Sequence, residues 1–135
     1  MVSISVPAKV ESIDKVTEFV DEQLVAAECS MKASVQINVA IDEIFANIAF
    51  YAYPEGEGDV VVQIDIENDP RMAVLTFVDS GIPYNPLEKQ DPDVTLSLEE
   101  RQIGGLGIFI VKKSMDDMIY ERKDGQNILT LRKKI

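Results

Sequence analysis

The chain contains no histidine and no tryptophan, and Cys29 is its single cysteine. Without histidine there is no Ser-His-Asp or Cys-His nucleophile system, no imidazole for a transition metal and no histidine to carry a phosphoryl group. One cysteine excludes an internal disulfide and a cysteine-built zinc site. Cations are scarce: 13 lysines and arginines stand against 24 aspartates and glutamates, a formal charge of -11. That balance argues against holding nucleic acid or an anionic membrane through bulk electrostatics, although local N–H groups or a bound cation still suit a nucleotide. Long apolar runs are missing as well. No segment reaches the length of a membrane span, and the start MVSISVPAKV lacks the basic residues and apolar stretch of a signal peptide. The expected location is the cytoplasm. With 135 residues, 46% of them hydrophobic, the chain suffices for one domain (1–135) around one core.

What is present centres on residues 33–53, ASVQINVAIDEIFANIAFYAY. Ile37, Ile41, Ile44 and Ile48 form a single apolar stripe at helical spacing, which predicts a long helix facing a core. Upstream, Ile4 and Val6 alternate with serines in a short strand that Pro7 stops. Residues 11–29 read as an amphipathic helix burying Ile13, Val16, Phe19, Val20 and Leu24. Downstream, Pro54, Gly56 and Gly58 end the long helix, and strands over 60–66 and 72–79 form an antiparallel pair around Asn68-Asp69-Pro70. Residues 79–103 form a long loop with weak periodicity, and a loop of that length in a small domain is functional or disordered. A glycine-led helix follows, then a closing hairpin over 118–123 and 127–133 that turns at Asp124-Gly125. The predicted class is α+β: a two-layer sandwich with helices on one face of a mainly antiparallel mixed sheet.

Three polar clusters punctuate this frame. Glu43 and Asn47 stack one helical turn apart beside the apolar stripe. An Asn oxygen suits Mg²⁺, which keeps most of its waters and binds phosphates, and a Glu one turn away can act as base on an attacking hydroxyl. The alternative is a half-exposed polar pair on an amphipathic helix. Asp79-Ser80-Gly81-Ile82-Pro83 closes an apolar strand. A carboxylate there can accept from an exocyclic amine, with Gly81 allowing a flat ring to approach the backbone, or the stretch is a plain strand-ending turn. Gly104, Gly105 and Gly107 precede a helix and can free N–H groups for phosphate, or serve as a hinge. A dinucleotide fingerprint and a P-loop both fit poorly, because neither spacing is met.

As an ordered set, E-x-x-x-N on a helix, D-x-G-x-P at a strand end, a long loop and a G-G-x-G helix resemble the GHKL ATPase superfamily. EIFANIAFYAYP, DSGIPYNP and GGLGIFIVKKSMDDM resemble its anti-sigma factor/serine-protein kinase branch (RsbW/SpoIIAB-like), over nearly the whole chain. The resemblance implies the histidine kinase-like ATPase fold and ATP with Mg²⁺ as cofactors. It implies Glu43 as catalytic base, Asn47 as metal ligand, and Asp79 reading the adenine amine with Gly81 beside the ring. Gly104, Gly105 and Gly107 would line the phosphates, Thr130 would lie near the adenine, and residues 84–103 would form an ATP lid. Lys89 and Arg101 in that lid are candidate phosphate partners, or solvated charges. Tyr51 stands where many relatives carry histidine. The implied activity is phosphorylation of a serine on a STAS-domain antagonist protein. A sigma factor is the alternative partner, and a homodimer is implied. The competing expectations are a non-catalytic, nucleotide-gated interaction module and a free-standing ATP hydrolase.

Overall fold

A computed structural model describes residues 1–54, 56–88 and 105–135. Ser30 starts the central helix: in extended backbone geometry, its hydroxyl accepts from the Ala33 N–H at 3.2 Å and caps the first turn. Helix α2 then runs Met31–Tyr51. It starts two residues earlier than the periodicity predicts and stops two residues sooner, because the residue ahead of Pro54 is pushed out of helical geometry. Ile37, Ile41 and Ile44 are fully buried and Ile48 packs against the same cluster, as their spacing requires. Helix α1 (Ile13–Ala26) enters through a 3₁₀ turn at Val10–Ser12 and buries Val16, Val20 and Leu24. A third helix, α3 (Gly105–Ser114), buries Ile108 and Val111.

These helices cover one face of a five-stranded sheet: β1 (Val2–Pro7), β2 (Asp59–Glu67), β3 (Met72–Asp79), β4 (Asp117–Lys123) and β5 (Gln126–Lys134). The order is β1-β2-β3-β5-β4, and every ladder is antiparallel. The mixed sheet expected from sequence is therefore wholly antiparallel among the described residues. Strand pleating places alternate residues on the helix side, and the register aligns them in rows. Two rows are mostly apolar: Val62–Phe77–Leu129–Tyr120, and Ile64–Leu75–Leu131–Met118. The row at the rim runs Val60–Asp79–Asn127–Arg122. Along it the sheet changes from hydrocarbon to polar groups over the width of two strands, and the polar part lies beneath the second half of α2. Truncating a row residue such as Phe77, 1% exposed, would cost about 3–5 kcal/mol.

No helix among the described residues is long and apolar enough to cross a membrane. Lys89, Arg101 and Gly104, with the rest of 89–104, lie outside the described residues.

Candidate nucleotide site

A cleft opens where α2 crosses the polar end of the sheet. Ile44, Ile48, Phe77 and Leu129 supply apolar walls, and Asn47 and Asp79 face into it from opposite sides. Two residues expected to share a ligand are thus brought to one cavity by elements far apart in sequence.

Asp79 is the most tightly held group there. It is 5% exposed, and its Oδ1 accepts from the Gly81 N–H and from Asn127 Nδ2, both at 2.9 Å. No described hydrogen bond uses Oδ2, which leaves one acceptor for a donor in the cleft. The turn after Asp79 is fixed on every side. Ile82 N–H donates to the Ala52 carbonyl at 2.9 Å, Arg122 donates to the Gly81 carbonyl at 2.8 Å, and Ser80 N–H donates to the Tyr53 hydroxyl at 2.8 Å. Tyr53 donates in turn to the Asp59 carbonyl at 2.7 Å, and burial pushes its phenol above the usual value. A side chain at Gly81 would overlap the Ala52 backbone. The close approach at Gly81 is to the end of α2.

Thr130, expected near the base, is not in the cleft. It pairs with Thr76 on the face of the sheet away from the helices, because the inward positions of β5 are Asn127, Leu129 and Leu131. Asn127, which the sequence marks only as the start of the last strand, is the residue opposite Asp79, at 6% exposure. The signal was there in the alternation of β5: a polar residue in phase with Leu129 and Leu131, at the end of the strand facing Asp79.

One turn of α2 before Asn47, outside the residues that line the cleft, the surroundings of Glu43 are built differently. Glu43 and Asn47 are both half-buried, and no hydrogen bond or ion pair among the described residues engages either side chain. Gly107 in the first turn of α3 lies against Glu43, and a methyl there would overlap the carboxylate oxygen Oε2. Helix α3 thus brings its N-terminal turn to the Glu43 carboxylate. Gly105 is the first residue of that helix. A Mg²⁺ ion fits this end through one ligand: the Asn47 amide is unengaged, and no group of three acidic, His or Cys side chains among the described residues could form a protein cage.

Tyr84 lines the cleft, and its ring meets that of Tyr51 at 6.3 Å between centroids, tilted by 32°. Tyr51 meets Phe50 in turn at 6.4 Å. At the position where many relatives carry histidine, this chain has a ring that packs against a residue lining the cleft.

A helical layer on an antiparallel sheet, with E-x-x-x-N on the central helix above a strand-end Asp-x-Gly turn, defines the GHKL class of ATPase domain. The chain belongs to the histidine kinase-like ATPase domain family, whose model matches residues 6–133. Among curated proteins it is 28% identical over 102 residues to the serine/threonine-protein kinase BtrW of Bordetella bronchiseptica, covering 76% of this chain and 71% of that protein. It is 27% identical over 97 residues to the serine-protein kinase RsbW of Bacillus cereus and to that of Bacillus mycoides, covering 69% of this chain. The match spans 59% of each RsbW protein's length, less than two thirds. The resemblance drawn from the three boxes thus holds at the level of family and branch.

Proposed function

We propose that this protein is an ATP-dependent protein-serine kinase. The observation that carries the reading is the nearness of two chemistries along α2: a buried carboxylate with a single open acceptor in the cleft that Asn47 lines, and, one helical turn before Asn47, an unengaged Glu43 against the N-terminal turn of α3. The first suits the amino group of adenine, and the second suits a triphosphate tail and the hydroxyl that attacks it. Relatives named serine kinases support the same reaction.

In this reading Asp79 Oδ2 accepts from the adenine amine while Phe77 and Ile48 contact the ring. The turn at 105–107 offers N–H groups to the phosphates, and a magnesium ion held by Asn47 would neutralise phosphate charge. Glu43 accepts the proton of the substrate serine hydroxyl as its oxygen bonds to the γ-phosphorus and the bond to the β-phosphate oxygen breaks, leaving ADP. Positioning and charge compensation supply the rate, with no covalent enzyme intermediate. Gly104 and the lid segment 84–103 belong to the same proposal.

The proposed acceptor is a serine on a STAS-domain antagonist protein, in a cytoplasmic partner switch in which a sigma factor is the competing partner and the kinase acts as a homodimer. The test is transfer of labelled γ-phosphate from ATP to a purified STAS-domain protein, with mass spectrometry locating phosphoserine. Transfer by the wild type and none by Glu43→Ala, with ATP still bound, supports the kinase. ATP binding with no transfer to any STAS-domain protein supplied would favour the nucleotide-gated interaction module instead.

A further inference from the structure

Asn127 makes four hydrogen bonds, which is every bond an amide side chain can make in this geometry. Nδ2 donates to Asp79 Oδ1 at 2.9 Å and to the Ile82 carbonyl at 2.8 Å. Oδ1 accepts from the Tyr120 hydroxyl at 2.5 Å and from the Tyr84 N–H at 3.3 Å. The amide orientation follows from its neighbours. A backbone N–H only donates, so Tyr84 faces Oδ1, and a backbone carbonyl only accepts, so Ile82 faces Nδ2. The group is 6% exposed and no valence is left over.

A saturated side chain has nothing to offer a ligand, so a direct contact with the base is not its role. Its effect passes through Asp79. With Oδ1 taken by Gly81 and Asn127, the carboxylate is fixed about its own axis, and only Oδ2 is presented to the cleft. Adenine brings an amine donor to that edge and guanine a carbonyl acceptor. A carboxylate free to rotate could turn aside or admit a bridging water to relieve the acceptor–acceptor clash. One that is clamped cannot.

We propose that Asn127, its amide held by Tyr120 and Tyr84, is the positioning residue that sets the choice of adenine over guanine nucleotides by locking Asp79. This rests on the nucleotide-site reading above and adds a determinant to it. Tyr120 reaches Asn127 from the edge strand β4, so the specificity device spans the three strands β3, β5 and β4.

The test is calorimetric titration of the full chain with ATP and with GTP, each with Mg²⁺, for the wild type, Asn127→Leu, Asn127→Thr and Tyr120→Phe, with thermal melts to confirm folding. Asn127→Leu should lower the ATP-to-GTP affinity ratio at least about tenfold, by weakening ATP and by relieving the clash that excludes GTP. Asn127→Thr, whose hydroxyl can still donate to Asp79, should keep the ratio within about threefold of the wild type. Tyr120→Phe leaves the amide half-held and should lower the ratio by a smaller factor; it carries the test if Asn127→Leu does not fold. A merely structural role would weaken both nucleotides by one factor, and an unchanged ratio in the folded variants overturns the proposal. A wild type that binds neither nucleotide overturns the site reading itself, a distinct and prior result.

Discussion

The two ends of the candidate site are built on opposite principles. At the sheet end, Asp79 and Asn127 are buried and joined, and the following turn is held by Tyr53, Ala52 and Arg122. At the helix end, Glu43 and Asn47 stand half-exposed with no partner among the described residues. In the proposed reading, recognition is preorganised, so little conformational entropy would be lost when a base enters. The same reading leaves the reacting end for phosphates, metal and a second protein to complete. The closed end should tolerate change badly in affinity and stability, and the open end should tolerate it in stability while losing rate.

The largest effect is expected at the open end. Glu43→Ala should lower phosphotransfer by about 10²–10⁴-fold while ATP affinity and melting temperature stay near those of the wild type. Coupled losses of rate and stability would erase the contrast. At the closed end, Asp79→Ala strands the Gly81 and Asn127 donors and removes the cleft acceptor; calorimetry should read about a thirtyfold loss of ATP affinity, or ~2 kcal/mol, with a lowered melting temperature. Gly107→Ala forces the Glu43 carboxylate aside without touching the core, so kcat should fall about tenfold with the fold intact.

Tyr53→Phe removes two hydrogen bonds that hold the closed end and should cost about 1 kcal/mol in denaturant unfolding. Its pH dependence has a definite sign. Burial raises the phenol of Tyr53 above its ordinary value, so the folded state keeps this proton longer than the unfolded chain does. That stability is complete below pH 10 and is lost as pH climbs through the raised value; Tyr53→Phe should remove this part of the alkaline decline. The smallest effect belongs to Thr130, across the sheet from the cleft: Thr130→Ala should leave ATP affinity unchanged and shift stability by no more than about 0.5 kcal/mol.

The difference between the two ends also explains what the sequence made legible. Glu43 and Asn47 were readable because helical spacing puts residues four apart on one face, and the isoleucine stripe shows where that face points. Asp79 was readable as the polar stop of an apolar strand. The partner across the sheet was harder, since it depends on register, which the turn and the opposing strand decide together. Family resemblance pointed to the threonine of β5, but the pleat gives the inward place to Asn127, three residues earlier. The contacts of Gly81 with Ala52, and of Tyr51 with Tyr84, arise only when distant segments pack, and no local pattern announces them.

One titration tests the central claim most directly: the wild-type protein with ATP and with GTP, each with and without Mg²⁺. The account predicts ATP binding that tightens with Mg²⁺, through the phosphates and Asn47, and GTP binding weaker by at least about tenfold, through Asp79. Equal affinity for the two nucleotides, or none for either, would contradict it.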